Sequence, residues 1–306
     1  MDDASAPTGT WFVVPTPFRG DGSLDLEGQR RLVRAAKTWD VDGLTVMGVT
    51  SEASLLTEEE RSAALDAIFA EASKRVPVVV GCSAGDPGAV SRLIADARAR
   101  GGAGAMVAAL PGADAGDLPA RYAEWREDGG LPLVIQDEPA ATGVALSLDL
   151  LRKCIGAAAA RTVKLEAPPT APKIAALLAT DPGLHVFGGL GGAYALPELR
   201  AGACGTMTGF AFPEIMAAIR SAAHANEWAR AAALYDRFLP LIQFEAQPAV
   251  GLAVRKELLR RRGVISSARC RRDPIEIDEI TRRELDDLLA RLGIVPATEP
   301  LRVSDS

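Results

Sequence analysis

Histidine is nearly missing from this chain, which carries only His185 and His224. The two are separated by a helix-like stretch and both lie in apolar surroundings, so an imidazole-centred metal site or a Ser-His-Asp triad has almost nothing to be built from. Cysteine is equally thin. Cys82, Cys154, Cys204 and Cys270 stand far apart and form no C-x-x-C pair, which excludes a zinc knuckle or a dithiol redox motif and reads as reduced, mostly buried thiols. An excess of positive charge is lacking too. With 34 Lys and Arg against 40 Asp and Glu, the net charge of −6 leaves no basic face for nucleic acid or an anionic membrane. No apolar run reaches the roughly 18 residues of a membrane span, and the opening MDDASAPTGT is acidic and small rather than basic and then apolar. The expectation is a cytoplasmic protein with neither nucleic-acid nor membrane partners.

What is present is enough to bury a large core: 306 residues, 48% hydrophobic and 24% charged, a length that suits one α/β barrel with an appendage. Short β-like runs alternate with longer helix-like runs. The strand candidates are Trp11 to Val14, Gly43 to Met47, Val76 to Gly81, Ala105 to Ala109, Pro132 to Gln136, Thr162 to Glu166, Leu184 to Phe187 and Gly205 to Thr208. Eight parallel units of about 25 residues match a closed (β/α)8 TIM barrel better than an open sheet. Amphipathic stretches such as Leu26 to Trp39, Glu58 to Lys74 and Pro87 to Arg100 should form the outer ring. The barrel is expected over residues 1–225. A helical region packed on it should follow over 226–296, with breaks near Gly263 and Asp273-Pro274, and then a loose tail over 297–306.

In such a barrel the reacting groups sit at the C-terminal ends of the strands. Three places qualify: Gly48 to Glu52, Gln136 to Pro139, and Val163 to Glu166. Lys164, inside a short apolar strand, would lose the solvation of its ammonium if it points inward, which favours the nucleophilic amine; a solvated edge lysine is the plainer reading. Thr50 and Ser51 offer hydroxyls and backbone N–H groups to a carboxylate. Thr57 with Glu60 fits a capping box for the helix that follows, so Thr50 and Ser51 are not needed as caps. By strand parity Glu138 goes with Gln136 and Glu166 with Lys164, so either carboxylate can reach the mouth and transfer protons, or serve only in an ion pair or cap. Glu52 reads as a structural acceptor of backbone hydrogen bonds. Gly188 to Gly192 is either an anion-cradling loop or a tight βα turn.

Five segments in order resemble the dihydrodipicolinate synthase and N-acetylneuraminate lyase family of class I aldolases, from about Gly9 to Ile294. Val14-Pro15-Thr16-Pro17-Phe18 is similar to its T-P-F motif, and Gly48-Val49-Thr50-Ser51-Glu52 to its G-T-T-G-E loop. Val163-Lys164 falls at its Schiff-base lysine, Pro139, Thr142 and Gly143 fit Y-N-x-P-x-x-T-G, and Ala203 to Gly209 fits G-A-x-G-x-I-S-G. The resemblance implies Lys164 as nucleophile and Val49, Thr50, Ser51, Gln136, Met207 and Gly189 around the substrate; Glu138 and Glu166, placed by strand parity, are the candidates to replace the family's proton relay. It also implies a small 2-oxo acid substrate such as pyruvate, no metal or organic cofactor, and a homodimer or homotetramer. The departures are specific. Gln136 replaces the proton-relaying tyrosine, Val49 the threonine that links it, Ala108 to Pro111 lacks the tyrosine pair, and Ala141 stands where a second substrate's carboxylate meets arginine. Glutamine exchanges no protons near neutral pH. The leading expectation is a Schiff-base aldolase or lyase that is not a true dihydrodipicolinate synthase. The alternatives are a dehydratase or hydratase-aldolase using the same iminium, or a non-catalytic binding barrel.

Overall fold

In the computed structural model, residues 7–73, 75–109, 114–271 and 276–303 are described. Their strands are β1 Gly9–Val13, β2 Gly43–Val46, β3 Val78–Gly81, β4 Gly104–Ala108, β5 Leu133–Asp137, β6 Thr162–Leu165, β7 His185–Gly188 and β8 Gly205–Thr208. All pair in parallel, in chain order, and β8 closes on β1. The chain is therefore a (β/α)8 barrel, as its alternating pattern indicated. Around it run α1 Leu26–Ala36, α2 Glu58–Ala72, α3 Pro87–Ala99, α4 Leu118–Gly129, the short α5 Pro139–Thr142, α6 Leu148–Ala157, α7 Thr170–Leu178, α8 Ala195–Arg200 and α9 Pro213–His224. Thr57 caps α2 through the full reciprocal box with Glu60.

Strand alternation sorts the side chains into two cores. Trp11, Val13, Val79, Met106, Val134, Phe187 and Met207 fill the barrel interior, while Phe12, Leu44, Val80, Val107, Ile135, Val163, Leu165 and Val186 face the helices. This parity decides the chemistry of β5 and β6. With Val163 and Leu165 turned outward, Lys164 faces inward; with Ile135 outward, Gln136 does the same. Asp137 then points to the helix side, where Lys173 of α7 pairs with it at 2.5 Å.

Among the described residues, three further helices follow the barrel: α10 Trp228–Glu245, α11 Gly251–Arg261 and α12 Glu279–Leu292. α10 packs along α9, and α11 and α12 pack on α10. The expected break at Gly263 coincides with its left-handed φ of 76° just after α11. The one expected at Asp273-Pro274 lies outside the described residues. The tail over 297–306, expected to be loose, is instead held down through residue 303. Trp39 Nε1 donates to the Thr298 carbonyl at 2.8 Å, Arg262 Nε to the Ala297 carbonyl at 2.9 Å, and the Leu301 amide to Glu214 Oε1 at 2.7 Å. Leu301 and Val303 pack on the core. These anchors act on backbone atoms, so no hydrophobic period betrays them.

Candidate active site

A cavity of about 150 Å³ opens at the C-terminal mouth of the barrel, lined by Lys164, Glu166, Gln136, Glu138, Val49, Thr50 and Met207 among others. Seven of the nine residues expected at the site therefore meet there. Lys164 is 6% exposed, and its Nζ lies 2.9 Å from Glu166 Oε2. The same carboxylate oxygen accepts from Gln136 Nε2 at 2.8 Å, and Oε1 accepts from the Leu190 amide at 3.0 Å. Glu166 is thus fixed by three donors, the Lys164 amine among them. Where the family's relay would place a tyrosine, Gln136 orients a carboxylate that can itself carry a proton.

Two expected residues are placed otherwise. The Ser51 hydroxyl donates to the Val14 carbonyl at 2.7 Å, while Thr16 Oγ1 donates to the Ser51 carbonyl. Ser51 is buried in loop packing and does not line the cavity, because a short turn aims only one of its two hydroxyls at the mouth. That one is Thr50, whose Oγ1 is buried without a hydrogen-bond partner among the described residues. Gly189 does not line the cavity either. A β-carbon there would come within 2.1 Å of Glu166 Oε1, so this glycine leaves room for the carboxylate, and Leu190 and Gly191 form the wall beside it. The segment from Gly188 is a tight turn with one amide turned onto Glu166. Glu52 is fully buried between Lys256 Nζ at 2.5 Å and the Arg271 amide at 2.6 Å, the structural acceptor its position suggested.

Sequence reasoning missed three residues. Arg255 of α11 reaches into the cavity wall, with its Nε on Glu245 at 2.6 Å. Burial pushes the Glu245 carboxyl up from its usual range, and Arg255 opposes the shift. Lys256 anchors the β2 loop through Glu52. Glu198 of α8, 1% exposed, sits behind β7 against Gly188. Burial pushes its carboxyl up to about 7 against the pull of Thr170, and the charge on Glu166 adds to the rise. Arg255 and Lys256 belong to a basic, helical string that reads as a solvated face, so only three-dimensional packing reveals them. No cluster of His, Cys, Asp and Glu able to hold a metal occurs among the described residues.

A second chamber of about 350 Å³ shares Gly48, Val49, Met106, Gln136 and Glu138 with the first. Ser54, Ser83, Ala84, Ala108, Ala141 and Thr142 extend it. Of the segment that lacks the tyrosine pair, Leu110 and Pro111 lie outside the described residues.

The model of the dihydrodipicolinate synthetase family matches residues 6–292. The chain belongs to that family. It is 34% identical over 314 residues to an L-2-keto-3-deoxyarabonate dehydratase of Azospirillum brasilense, covering 95% of this chain and 97% of the relative. It is 32% identical over 267 residues to 4-hydroxy-tetrahydrodipicolinate synthase 1 of Streptomyces coelicolor, covering 82% of each. Among solved structures, a dihydrodipicolinate synthase from Rhodopseudomonas palustris superposes with a TM-score of 0.88 at 31% identity, covering 93% of this chain and 97% of the other. Family members are enzymes, synthase and dehydratase alike. No described helix is long and apolar enough to cross a membrane.

Proposed function

We propose that this protein is a lyase that binds a 2-oxo acid as an iminium on Lys164 and uses Glu166 to move the protons. The observation that carries this is the buried Lys164–Glu166 pair at 2.9 Å on the inner face of the barrel mouth. Lys164 Nζ adds to the substrate's carbonyl carbon and water leaves, forming the iminium. The iminium acidifies the adjacent carbon, and Glu166 takes a proton from it. If a hydroxyl stands one carbon further along, the enamine expels it, and Glu166 returns the proton to that leaving oxygen as water departs. One carboxylate fixed by three donors suffices for both transfers, and the electron sink is the protein's own iminium, so no cofactor is needed.

Elimination of water from a deoxy sugar acid is the bond cleavage we favour. The second chamber offers small residues and hydroxyls, with Ala141 where a carboxylate-binding cation would be needed, and the Azospirillum relative is a dehydratase. Carbon–carbon cleavage or condensation is the second reading, supported by the synthase relative from Streptomyces. Borohydride reduction with a panel of 2-oxo acids, read by intact mass, should add one reduced substrate to wild type and none to Lys164→Met. No adduct with any of them would leave the non-catalytic barrel. Products of 2-oxo-3-deoxy pentonates then separate a dehydrated semialdehyde from pyruvate plus an aldehyde. Condensation of pyruvate with aspartate semialdehyde should run far below ordinary enzyme rates, since Ala141 leaves the aldehyde's carboxylate without a cation among the described residues of the second chamber and an unmet charged hydrogen bond costs roughly 1.5–3 kcal/mol. A working synthase rate would refute this reading of Ala141. A cytoplasmic homo-oligomer completes the proposal; light scattering at micromolar concentration should give a dimer or larger.

A further inference from the structure

Among the described residues, two cations line the active cavity, Lys164 and Arg255. Lys164 is engaged with Glu166 and, in the reading above, with the substrate's carbonyl carbon. Arg255 comes from α11, outside the barrel, and its side chain is buried, 7% exposed. Its Nε donates to Glu245, which is itself held by the Ala211 amide at 2.9 Å. That pairing uses only Nε. The guanidinium lies against Gly209, just beyond β8, where a β-carbon would come within 2.7 Å of Nη1. Neither Nη1 nor Nη2 has a hydrogen-bond partner among the described residues.

A 2-oxo acid carries its carboxylate on the carbon next to the one that Lys164 attacks, so the cavity must supply donors and a counter-charge there. Ser51, turned onto Val14, cannot. Thr50 Oγ1 is buried at the wall with no hydrogen-bond partner among the described residues. Thr50 follows β2 and Gly209 follows β8, and both strands flank β1, so Thr50 and Arg255 stand on either side of the Val13 end of β1. Glu138 stands on the wall shared with the second chamber, a poor neighbour for an anion. We propose that Arg255, held in place by Glu245 and assisted by Thr50, binds the carboxylate of the 2-oxo acid and orients the rest of the substrate toward the second chamber. A guanidinium already fixed by a buried carboxylate loses little freedom on binding and presents a planar pair of donors to a planar anion. The inference rests on the Schiff-base reading only for the identity of the ligand.

Binding separates from chemistry on a Lys164→Met background, which cannot form the iminium. Calorimetry with pyruvate and with its uncharged methyl ester on this protein reads Arg255 directly. The double change Arg255→Met with Glu245→Gln, which leaves no unpaired buried charge, should weaken pyruvate roughly ten- to hundredfold and leave the ester unchanged. Should that variant melt well below its parent, Arg255→Lys keeps the ion pair and should still lose affinity for pyruvate alone. In otherwise wild-type protein, the same changes should raise the pyruvate concentration that half-saturates borohydride trapping. Pyruvate affinity unchanged by both variants, or equal losses for pyruvate and ester, would overturn the assignment. Failure of wild type to trap any 2-oxo acid, with Arg255-dependent pyruvate binding intact, would sink the Schiff-base reading and leave this one standing.

Discussion

Glu166 binds three donors with two oxygens, so replacing it by glutamine keeps the shape and removes the proton carrier. Glu166→Gln should lower turnover roughly 10²- to 10⁴-fold while the borohydride adduct on Lys164 still forms. Equal loss of turnover and adduct would mean that the carboxylate serves only to hold the lysine. Glu198 makes a different prediction. Its folded-state value near 7 lies above its ordinary 4.5, so the folded protein holds a proton that the unfolded chain releases. The stability tied to that proton is complete below about 4.5 and is lost as pH rises toward 7. Urea midpoints of wild type should therefore fall relative to Glu198→Gln across that window and run parallel above it. Parallel curves throughout would show Glu198 ionised all along. Lys164, Thr50 and Glu166 were legible because strand parity and a motif each pick out a position. Ser51 was not, since a three-residue turn gives no parity with which to tell a hydroxyl facing the cavity from one facing the loop.

At the scale of elements, the turn after β7 has one conformational requirement tied to chemistry. Gly189, with φ −137° and ψ −122°, passes so close to Glu166 that an alanine methyl would displace the carboxylate. Gly189→Ala should reduce turnover roughly 10²-fold, the cost of a misplaced catalytic group, and lower stability by only about 1–3 kcal/mol. Unchanged kinetics would show that Glu166 has room to move. Every strand was legible because parallel strands buried on both sides read as short apolar runs punctuated by glycine, and the Thr57 cap because its box is local. The strap over 297–303 was not, since its anchors are carbonyls and amides that any residue carries.

Across the whole molecule, the C-terminal helices secure the loop that bears Val49 and Thr50. Glu52 and Lys256 are both fully buried, and Lys256 also stacks on Phe18 at 4.6 Å. Removing either partner alone leaves a buried charge and should cost roughly 3–5 kcal/mol, while Glu52→Gln combined with Lys256→Met should cost much less than the two singles added. Chemical denaturation of the four proteins measures this. Additive losses would show that the two charges do not sense each other. The pairing spans 204 positions, which is why neither residue announced it in the chain.

Arg255 and Lys256 are neighbours in α11, yet one meets the cavity wall and the other Glu52 beneath the β2 loop. Successive side chains on a helix diverge by about 100°, so α11 is keyed to the barrel at two points at once. Recombination between relatives is constrained accordingly. A crossover placed between barrel and appendage must bring together an α11 with a β2 loop that meets Lys256 and a β8 end that meets Arg255. A single-residue insertion within α11 upstream of position 255 would turn both keys out of register, even with every residue of the barrel intact.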